Sequence, residues 1–246
     1  MIKGKNKTAD RIDPDNIPQH IGIIMDGNGR WAKKRGLPRS VGHRAGADTL
    51  KKISDYCAGI GVKCITAYAF STENWSRPKD EVDYLMGLMY DYLADAQRTL
   101  AGKNTQIKVI GNLDLLNDEL RAKIVEVEEM TAHKTGMRLN LAISYGGRDE
   151  ITAAVKKIAR DVKDGKLKVE DISEEIISAN MYTAPFPDPD IIIRPSGEQR
   201  LSNFMLWQAA YAEFWYDDIC WPDFSKKDIN RVILDYQKRN RRYGNV

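Results

Sequence analysis

The sequence predicts a single α/β domain with a central, six-stranded, largely parallel sheet surrounded by helices. Short runs rich in β-branched residues alternate with longer segments of helical periodicity along the whole chain. Such alternation is typical of α/β folds with a parallel sheet. No repeat, low-complexity block or domain linker interrupts it. With 246 residues, 42% of them hydrophobic, the chain can bury one sizeable core.

Six segments are predicted to be strands. Each is short and mostly apolar, as strands buried on both faces of a sheet are. Parallel strands need crossover connections, and the segments between these runs are long enough to be helices. The predicted strands cover His20–Met25, Lys63–Phe70, Gln106–Gly111, Arg138–Tyr145, Asp190–Arg194 and Glu213–Tyr216.

The connecting segments are predicted to be helices. The clearest extends from Lys79 to about Leu100, because apolar residues recur there every three or four positions. Ser225 is a suitable N-cap for the last helix, which extends to about Arg239. The remaining helical patterns cover Gly42–Gly61, Asp118–Lys134, Asp149–Val162 and Glu170–Met181.

Composition limits the class of protein. The formal charge of +3 is too small to favour a nucleic-acid partner. Three cysteines without CxxC spacing argue against a disulfide framework and fit a reducing cytoplasm. No signal peptide or membrane span is expected, because no long apolar run occurs. Residues 1–17 are predicted to be a flexible N-terminal segment, and residues 18–246 the folded domain.

The residues after the first predicted strand are the first to indicate chemistry. Asp26 is followed by Gly27 and Gly29, which let the backbone approach a ligand, and by Arg30, which can bind phosphate oxygens. A carboxylate would repel phosphate unless a divalent metal lies between them. The segment therefore suggests a Mg²⁺–diphosphate site, with a plain strand–turn–helix connection as the alternative.

Three further polar clusters follow the second, fourth and fifth predicted strands. They cover residues 71–78, 145–148 and 194–202. Because the carboxyl ends of parallel strands share one edge of the sheet, these clusters are expected to converge on Asp26. Their cations would suit two diphosphates, although each can instead form a weak surface ion pair. The cations are Arg30, Arg39, His43, Arg77, Arg194 and Arg200.

Several other residues of these segments allow two interpretations. Ser71 and Asn74 can handle a proton or orient a ligand, or can be ordinary turn residues. Trp31 and Trp75 can shield an apolar ligand or simply pack. Glu213 could supply a second carboxylate for the metal, although its spacing alone argues against that.

Long blocks of the sequence resemble the signature motifs of the cis-prenyltransferases, most closely those of the bacterial undecaprenyl diphosphate synthases. The resemblance extends from about Pro18 to Gly244, with the blocks in the family's order. Pro195 departs from it, because the family has Ser or Thr after the arginine. The blocks are HIGIIMDGNGRWA (20–32), YAFSTENWSRP (68–78), NLAISYGGR (140–148), IRPSGEQRLSNF (193–204) and WQAAYAE (207–213).

The resemblance implies a homodimeric cytoplasmic enzyme that can work at the membrane surface, with a hydrophobic tunnel between sheet and helices. The implied reaction is Mg²⁺-dependent cis addition of isopentenyl diphosphate to an allylic diphosphate, commonly farnesyl diphosphate. Its product would be a long-chain polyprenyl diphosphate such as undecaprenyl diphosphate, the lipid carrier precursor for cell-wall glycan synthesis. That product would pass to the membrane, and no nucleic acid would be a partner.

The resemblance also implies a role for individual residues. Asp26 and Glu213 would hold Mg²⁺, and Asn74 would be the catalytic proton acceptor. Because an amide is a weak base, we expect Asn74 to orient the substrate instead. The allylic diphosphate pocket would contain Gly27, Asn28, Gly29, Arg30, Trp31, Arg39 and His43. The remaining substrate contacts would be Ser71, Thr72, Glu73, Trp75, Arg77, Arg194, Arg200, Leu201 and Ser202, with Arg242 and Gly244 of a carboxyl-terminal R-x-G motif.

By alignment with the family, Ala69 and Met137 are expected near the floor of the tunnel, where a small and a flexible side chain would suit a long product. Three other functions fit parts of the sequence. A silent accessory subunit of the same fold would lack the metal carboxylate, whereas this chain keeps Asp26. A nucleic-acid-binding protein would use the basic carboxyl terminus. A phosphohydrolase would use the same diphosphate site without transfer.

Overall fold

The structure is a computed structural model that describes residues 11–239, with the side chain of Gln97 excepted. These residues form one sheet of six parallel strands in the order β3-β4-β2-β1-β5-β6, which confirms the predicted fold class. The strands are β1 (His20–Ile24), β2 (Cys64–Ser71), β3 (Thr105–Ile110), β4 (Met137–Tyr145), β5 (Ile191–Pro195) and β6 (Glu213–Asp217).

β1 lies inside the sheet. It pairs with β2 on one side and with β5 on the other, so that Ile21 lies between Ile65 and Ile191. The chain first builds the β2 side of the sheet and then crosses to the β5 side. The carboxyl ends of β1, β2 and β5 therefore meet at a topological switch point, which is where open α/β sheets bind ligands.

Most of the helices coincide with the predicted ones, with three differences. The helix predicted from Lys79 to about Leu100 is divided at Asp95 into two helices. A short helix, α1, directly follows the glycines after β1 and was not predicted. The predicted helix Glu170–Met181 is interrupted, because the Ser173 side chain accepts the Ile176 N–H and starts a new helix there. The helices are α1 (Asn28–Lys34), α2 (Arg39–Ile60), α3 (Lys79–Ala94), α4 (Ala96–Thr99), α5 (Asp118–Thr131), α6 (Gly147–Lys163), α7 (Glu174–Ala179) and α8 (Lys226–Lys238).

Apolar side chains are buried on both faces of the sheet. One face packs against α2, α3, α5 and α8, and Ile21 and Ile65 belong to that core. The other face buries Ile192 against the loop after β5, where Phe204 and Met205 are fully buried. Burial of these two side chains fixes the loop that follows Arg194.

The folded part begins before the predicted boundary at residue 17. Ile17 is 8% exposed and belongs to the larger core. Asp13 exchanges hydrogen bonds with Gln237 of α8, at 3.1 Å and 2.8 Å. Residues 12–17, predicted to belong to the flexible segment, therefore pack against the folded domain. Between residues 11 and 239, no helix combines the length and apolarity needed to cross a membrane.

Candidate active site

A cleft of about 750 Å³ opens at the carboxyl ends of β1, β2 and β5. A second cavity of about 680 Å³ shares part of its wall and extends along the starts of α1 and α2. The clusters after β1, β2 and β5 thus converge, as a parallel sheet requires, whereas the predicted cluster 145–148 after β4 lines neither cavity. The cleft is lined by Asp26, Asn28, Arg30, His43, Ser71, Glu73, Asn74, Arg77, Arg194, Arg200 and Ser202, and the second cavity adds Gly27, Gly29 and Arg39.

Three donors hold the Asp26 carboxylate. Its Oδ1 accepts the Gly27 N–H at 2.6 Å and Nη2 of Arg30 at 3.0 Å. Its Oδ2 accepts Nη2 of Arg194 at 3.0 Å. The carboxylate is 25% exposed and lines the cleft, so a hard oxygen ligand is already oriented there by two guanidinium groups.

The start of α1 supplies backbone donors. Gly27 has a left-handed φ of 92°, which glycine adopts without strain. The first intrahelical hydrogen bond runs from the Trp31 N–H to the Gly27 carbonyl, at 2.8 Å. The N–H groups of residues 28–30 therefore have no helical acceptor. Because residues 26–30 line the second cavity, these N–H groups can bind an anion in it.

Two glycines of α2 allow α1 to lie this close. A Cβ at Gly42 would be 2.1 Å from the Asn28 carbonyl oxygen, and one at Gly46 would be 2.4 Å from Asn28 Oδ1. Both side-chain positions are occupied by Asn28, so only glycine fits. Sequence reasoning did not select these residues, and their i,i+4 spacing was the available signal.

Arg194 closes β5 and connects the clusters. Its side chain is 6% exposed. Besides Asp26, it donates from Nη1 to Ser202 Oγ at 2.7 Å and to the Arg200 carbonyl. Its Nε has no hydrogen-bond partner among residues 11–239. A buried guanidinium with a spare donor at the cleft is suited to binding an anionic ligand.

The loop after β5 has a strained backbone and is held in place by a neighbouring strand. Ser196, Ser202, Asn203 and Met205 all have positive φ, between 46° and 83°. Such strain persists only where the surroundings impose it, and it clusters at functional sites. Tyr68 contributes, because its hydroxyl lies 3.1 Å from the Tyr145 carbonyl and 3.3 Å from the Ser202 carbonyl and so bridges the end of β4 and this loop. The loop is therefore fixed in position before any ligand binds.

A second carboxylate of this loop is shared between cations. Glu198 lies 3.6 Å from Arg30 Nη1 and also pairs with Arg200. It links the start of α1 to the loop after β5. Glu198 was not selected from the sequence, although it lies inside one of the family blocks.

The remaining cations surround Glu81, in the first turn of α3. Arg77 Nη1 lies 2.9 Å and Arg39 Nη1 lies 3.1 Å from its carboxylate oxygens. His43 Nε2 is 3.6 Å away and makes no hydrogen bond within the described part of the chain. Burial lowers the pKa of His43 below its usual 6.5, and Glu81 acts in the opposite direction. Glu81 was missed; the i,i+4 spacing from Arg77 was its only sequence signal.

Ser71 and Asn74 form a capping box at the end of β2. Asn74 Oδ1 accepts the Ser71 N–H at 3.1 Å. The turn chemistry considered as an alternative therefore applies. Because the amide oxygen is engaged by the backbone, the amide N–H₂ is the group that Asn74 can direct at a ligand. Nearby, Glu73 accepts Asn203 Nδ2 at 2.8 Å and ties this turn to the loop after β5.

Four of the expected substrate-binding residues do not line the cleft or the second cavity. Trp31 donates from its indole to Asp223 at 2.7 Å, on the far side of α1. Trp75 donates to Ser144 Oγ at 3.0 Å and packs edge-on against Phe70. Thr72 lies against Gly146, and Leu201 packs on the smaller core. Their positions support the loops and do not place these side chains against a ligand.

Glu213 does not reach Asp26 within one chain. It opens β6, opposite Ile191 at the amino end of β5, whereas Asp26 follows the carboxyl end of β1. The length of β6, roughly 13 Å, separates Glu213 from the cleft edge along the strand direction. Glu213 instead pairs with Arg239. Between residues 11 and 239 no three His, Cys, Asp or Glu side chains form a metal-binding group. Arg242 and Gly244 lie outside the described residues.

Two apolar cavities, of about 120 and 110 Å³, lie between the sheet and helices α2 and α3. The first shares Met25, Ala69 and Leu85 with the cleft. The 120 Å³ cavity also shares Leu50 and Leu93 with the 110 Å³ cavity. Ala69 therefore lies where the cleft meets the 120 Å³ cavity, and its expected place near the floor of a tunnel stays a prediction. Met137 is buried in the core and lines neither cavity.

Comparison with known proteins agrees with this geometry. Residues 24–244 match the family model of undecaprenyl diphosphate synthases. The isoprenyl transferase of Clostridium perfringens is 52% identical over 232 residues, covering 94% of this chain and 92% of the relative. That of Bacillus anthracis is 48% identical over 251 aligned positions, covering 100% and 97%.

A solved structure shares the fold closely. The crystal structure of lavandulyl diphosphate synthase from Lavandula x intermedia, in complex with dimethylallyl diphosphate, has a TM-score of 0.90 and 36% identity to this chain. The match covers 94% of this chain and 99% of that one. The chain therefore belongs to the isoprenyl transferase family that includes the undecaprenyl diphosphate synthases, and it is a prenyltransferase for cis-prenyl chain elongation from diphosphate substrates.

Proposed function

We propose that this enzyme adds isopentenyl diphosphate repeatedly, in cis, to farnesyl diphosphate and releases a long-chain polyprenyl diphosphate such as undecaprenyl diphosphate. The observation that carries the proposal is the pair of anion sites on either side of Asp26. One is the start of α1 with Arg30, and the other is Arg194 with Ser202. Two diphosphates can therefore be held next to each other, with an apolar cavity beneath them.

The start of α1 suits the allylic diphosphate. When that group leaves, negative charge grows on its oxygens while positive charge spreads over the allylic carbons. The N–H groups of residues 28–30 and the Arg30 guanidinium stabilise the leaving group, and they need no rearrangement to do so. Arg39 and Arg77 line the same second cavity and add positive charge, and His43 lines it as a further hydrogen-bonding group.

The loop after β5 suits isopentenyl diphosphate. Arg194 and Ser202 are fixed by burial and by backbone strain, so their donors are oriented before binding. Asn74 then orients the substrate through its amide N–H₂, because its amide oxygen already accepts the Ser71 N–H. The proton released on bond formation goes to a diphosphate oxygen or through Ser71 or His43.

Mg²⁺ fits the donor set at Asp26. Mg²⁺ in proteins is commonly held by one or two carboxylates together with substrate phosphates and water. Asp26 offers a partly exposed carboxylate next to the anion cradle, whereas Glu213 lies at the other edge of the sheet. Bound there, the metal would neutralise charge on the leaving diphosphate. Within one chain we therefore assign the metal to Asp26 and not to Glu213.

The growing chain would occupy the apolar cavities between α2, α3 and the sheet as a tunnel. Each of them is smaller than a cavity of about 150 Å³, which holds one benzene molecule, so a long product requires the helices to separate. We place the reaction in the cytoplasm, in a homodimer that delivers its product to the membrane. In that dimer, Arg242 and Gly244 of one subunit would reach substrate near the interface.

One experiment tests the proposal. The protein is incubated with farnesyl diphosphate, labelled isopentenyl diphosphate and Mg²⁺, and the products are sized by chromatography. Extended polyprenyl diphosphates are expected. Absence of any extended lipid would overturn the proposal, and release of phosphate or diphosphate alone would indicate hydrolysis.

A further inference from the structure

We propose that Glu81 is a positioning residue that occupies the cations of the diphosphate pocket before the substrate does. It gathers Arg39, His43 and Arg77 into one arrangement and yields them to the incoming diphosphate. The inference rests on the proposed function, because it concerns the same diphosphate pocket. It predicts that removing this negative charge tightens diphosphate binding and slows turnover.

The geometry of Glu81 is that of a shared acceptor. One carboxylate oxygen takes Arg77 at 2.9 Å and faces His43 Nε2 at 3.6 Å, while the other takes Arg39 at 3.1 Å. The three side chains come from two places, the start of α2 and the turn before α3. A single carboxylate therefore fixes the relative positions of groups that the backbone does not connect.

Burial distinguishes this cluster from an ordinary surface ion pair. The Glu81 side chain is 12% exposed, whereas Asp83, two residues further along α3, is 61% exposed in its pair with Lys79. Exposed pairs contribute little, because water and salt screen them. Glu81 and His43 are both 12% exposed and Arg77 is 32% exposed, whereas Arg39 is 63% exposed, so the charge of Glu81 is screened least on the side of His43 and Arg77 and acts most strongly on an anion bound there.

A diphosphate must compete with Glu81 for these cations. Arg39, His43 and Arg77 all line the second cavity, so a ligand there meets two guanidinium groups that already have a carboxylate acceptor and a His43 Nε2 without a hydrogen-bond partner among the described residues. Replacing Glu81 by glutamine keeps the shape but removes the charge, which leaves the cations with more positive potential. The same change removes the common acceptor that aligns them, and alignment is what the transition state requires.

The test compares Glu81→Gln, Glu81→Asp and the matched control Asp83→Asn, which removes one negative charge from the exposed face of the same helix. Binding of inorganic diphosphate is measured by titration calorimetry, and KM and kcat are measured with farnesyl and isopentenyl diphosphates. Glu81→Gln is expected to bind diphosphate about five- to tenfold more tightly and to lower both KM and kcat. Asp83→Asn should have the diphosphate affinity, KM and kcat of the wild type. Glu81→Asp keeps the negative charge, so its diphosphate affinity should be close to that of the wild type.

The outcomes separate the two proposals. If the wild type binds no diphosphate and makes no polyprenyl product, the proposed function fails. If the wild type is active but Glu81→Gln binds diphosphate equally or more weakly, with its melting temperature unchanged, the role assigned to Glu81 is wrong. If Glu81→Gln unfolds, Glu81→Asp is compared with the wild type instead, because aspartate keeps the charge but places it one methylene group away. Unchanged diphosphate affinity with a reduced kcat supports the role of Glu81, and an unchanged kcat overturns it.

Discussion

Asp26 and Arg194 join the carboxyl ends of β1 and β5 through a 3.0 Å hydrogen bond from Arg194 Nη2 to Asp26 Oδ2. The guanidinium is 6% exposed and the carboxylate 25%. The carboxylate thus compensates a buried cation and also faces the cleft. Because Arg194 reaches Ser202 and Asp26 reaches Arg30, this single bond sets the spacing of the two anion sites.

Replacing Asp26 by asparagine should lower turnover by at least about 100-fold, close to 3 kcal/mol in activation free energy, because the proposed Mg²⁺ would lose its protein ligand. Incorporation of labelled isopentenyl diphosphate measures the effect. The variant should also lose about 1–3 kcal/mol of unfolding free energy, because Arg194 loses a charged acceptor. Asp118→Asn, at an exposed site in α5, should change neither quantity. Near-normal elongation by Asp26→Asn would refute the assignment of the metal site.

Asn74 offers a comparison between donation and proton transfer. If the amide N–H₂ orients the substrate, Asn74→Asp should be more damaging than Asn74→Ala, because a carboxylate would face diphosphate oxygens. We expect a loss in kcat/KM of about tenfold for alanine and at least about 100-fold for aspartate. Steady-state kinetics with both substrates would show the order. If Asn74→Asp is as active as Asn74→Ala or more active, the side chain at this position works as a base.

The parallel sheet explains why much of the site could be predicted. Since the carboxyl ends of parallel strands share one edge, the position of Asp26 after β1 and of Arg194 at the end of β5 sufficed to bring them together. The same rule separates Glu213 from them, because Glu213 begins its strand. Strand polarity was therefore the informative signal.

What the sequence could not predict depends on how helices pack. Glu81 meets Arg39 only because α2 and α3 lie side by side, and their separation along the chain gives no hint of contact. The short α1 likewise depends on Gly42 of a later helix. Trp75 belongs to a family block, yet it packs on Phe70, since a motif does not specify which way an aromatic ring points.

Ala69 is a site at which product length can be changed. It lies where the cleft meets the first apolar cavity, so Ala69→Leu places three additional carbon atoms in the path of the prenyl tail. Products should become shorter by one or more isoprene units, as measured by chromatography. The same substitution at Ala58, exposed on α2, should leave product length unchanged. An unaltered product distribution from Ala69→Leu would show that the tail does not pass this position.

His20 connects the sheet to the pH dependence of stability. Its ring is fully buried: Nδ1 donates to the Pro187 carbonyl at 2.7 Å, and Nε2 accepts from Thr66 Oγ1 at 2.8 Å. Thr66 in turn accepts from Asn140 Nδ2 at 3.0 Å. Burial lowers the pKa of His20 to about 4, while the Pro187 carbonyl and Asp190 raise it and Arg138 lowers it further. The folded state therefore holds this imidazole neutral.

The unfolded chain binds a proton at His20 near pH 6.5, whereas the folded protein does so only near pH 4. The stability contributed by the neutral ring is complete above pH 6.5 and is lost as the pH falls to 4, by about 3 kcal/mol. Urea unfolding at a series of pH values should show this loss. His20→Gln cannot bind that proton. Its deficit in unfolding free energy relative to the wild type should therefore shrink by the same amount as the pH falls from 6.5 to 4. His133→Gln, at an exposed position, should follow the wild type, and parallel curves for wild type and His20→Gln would contradict the assignment.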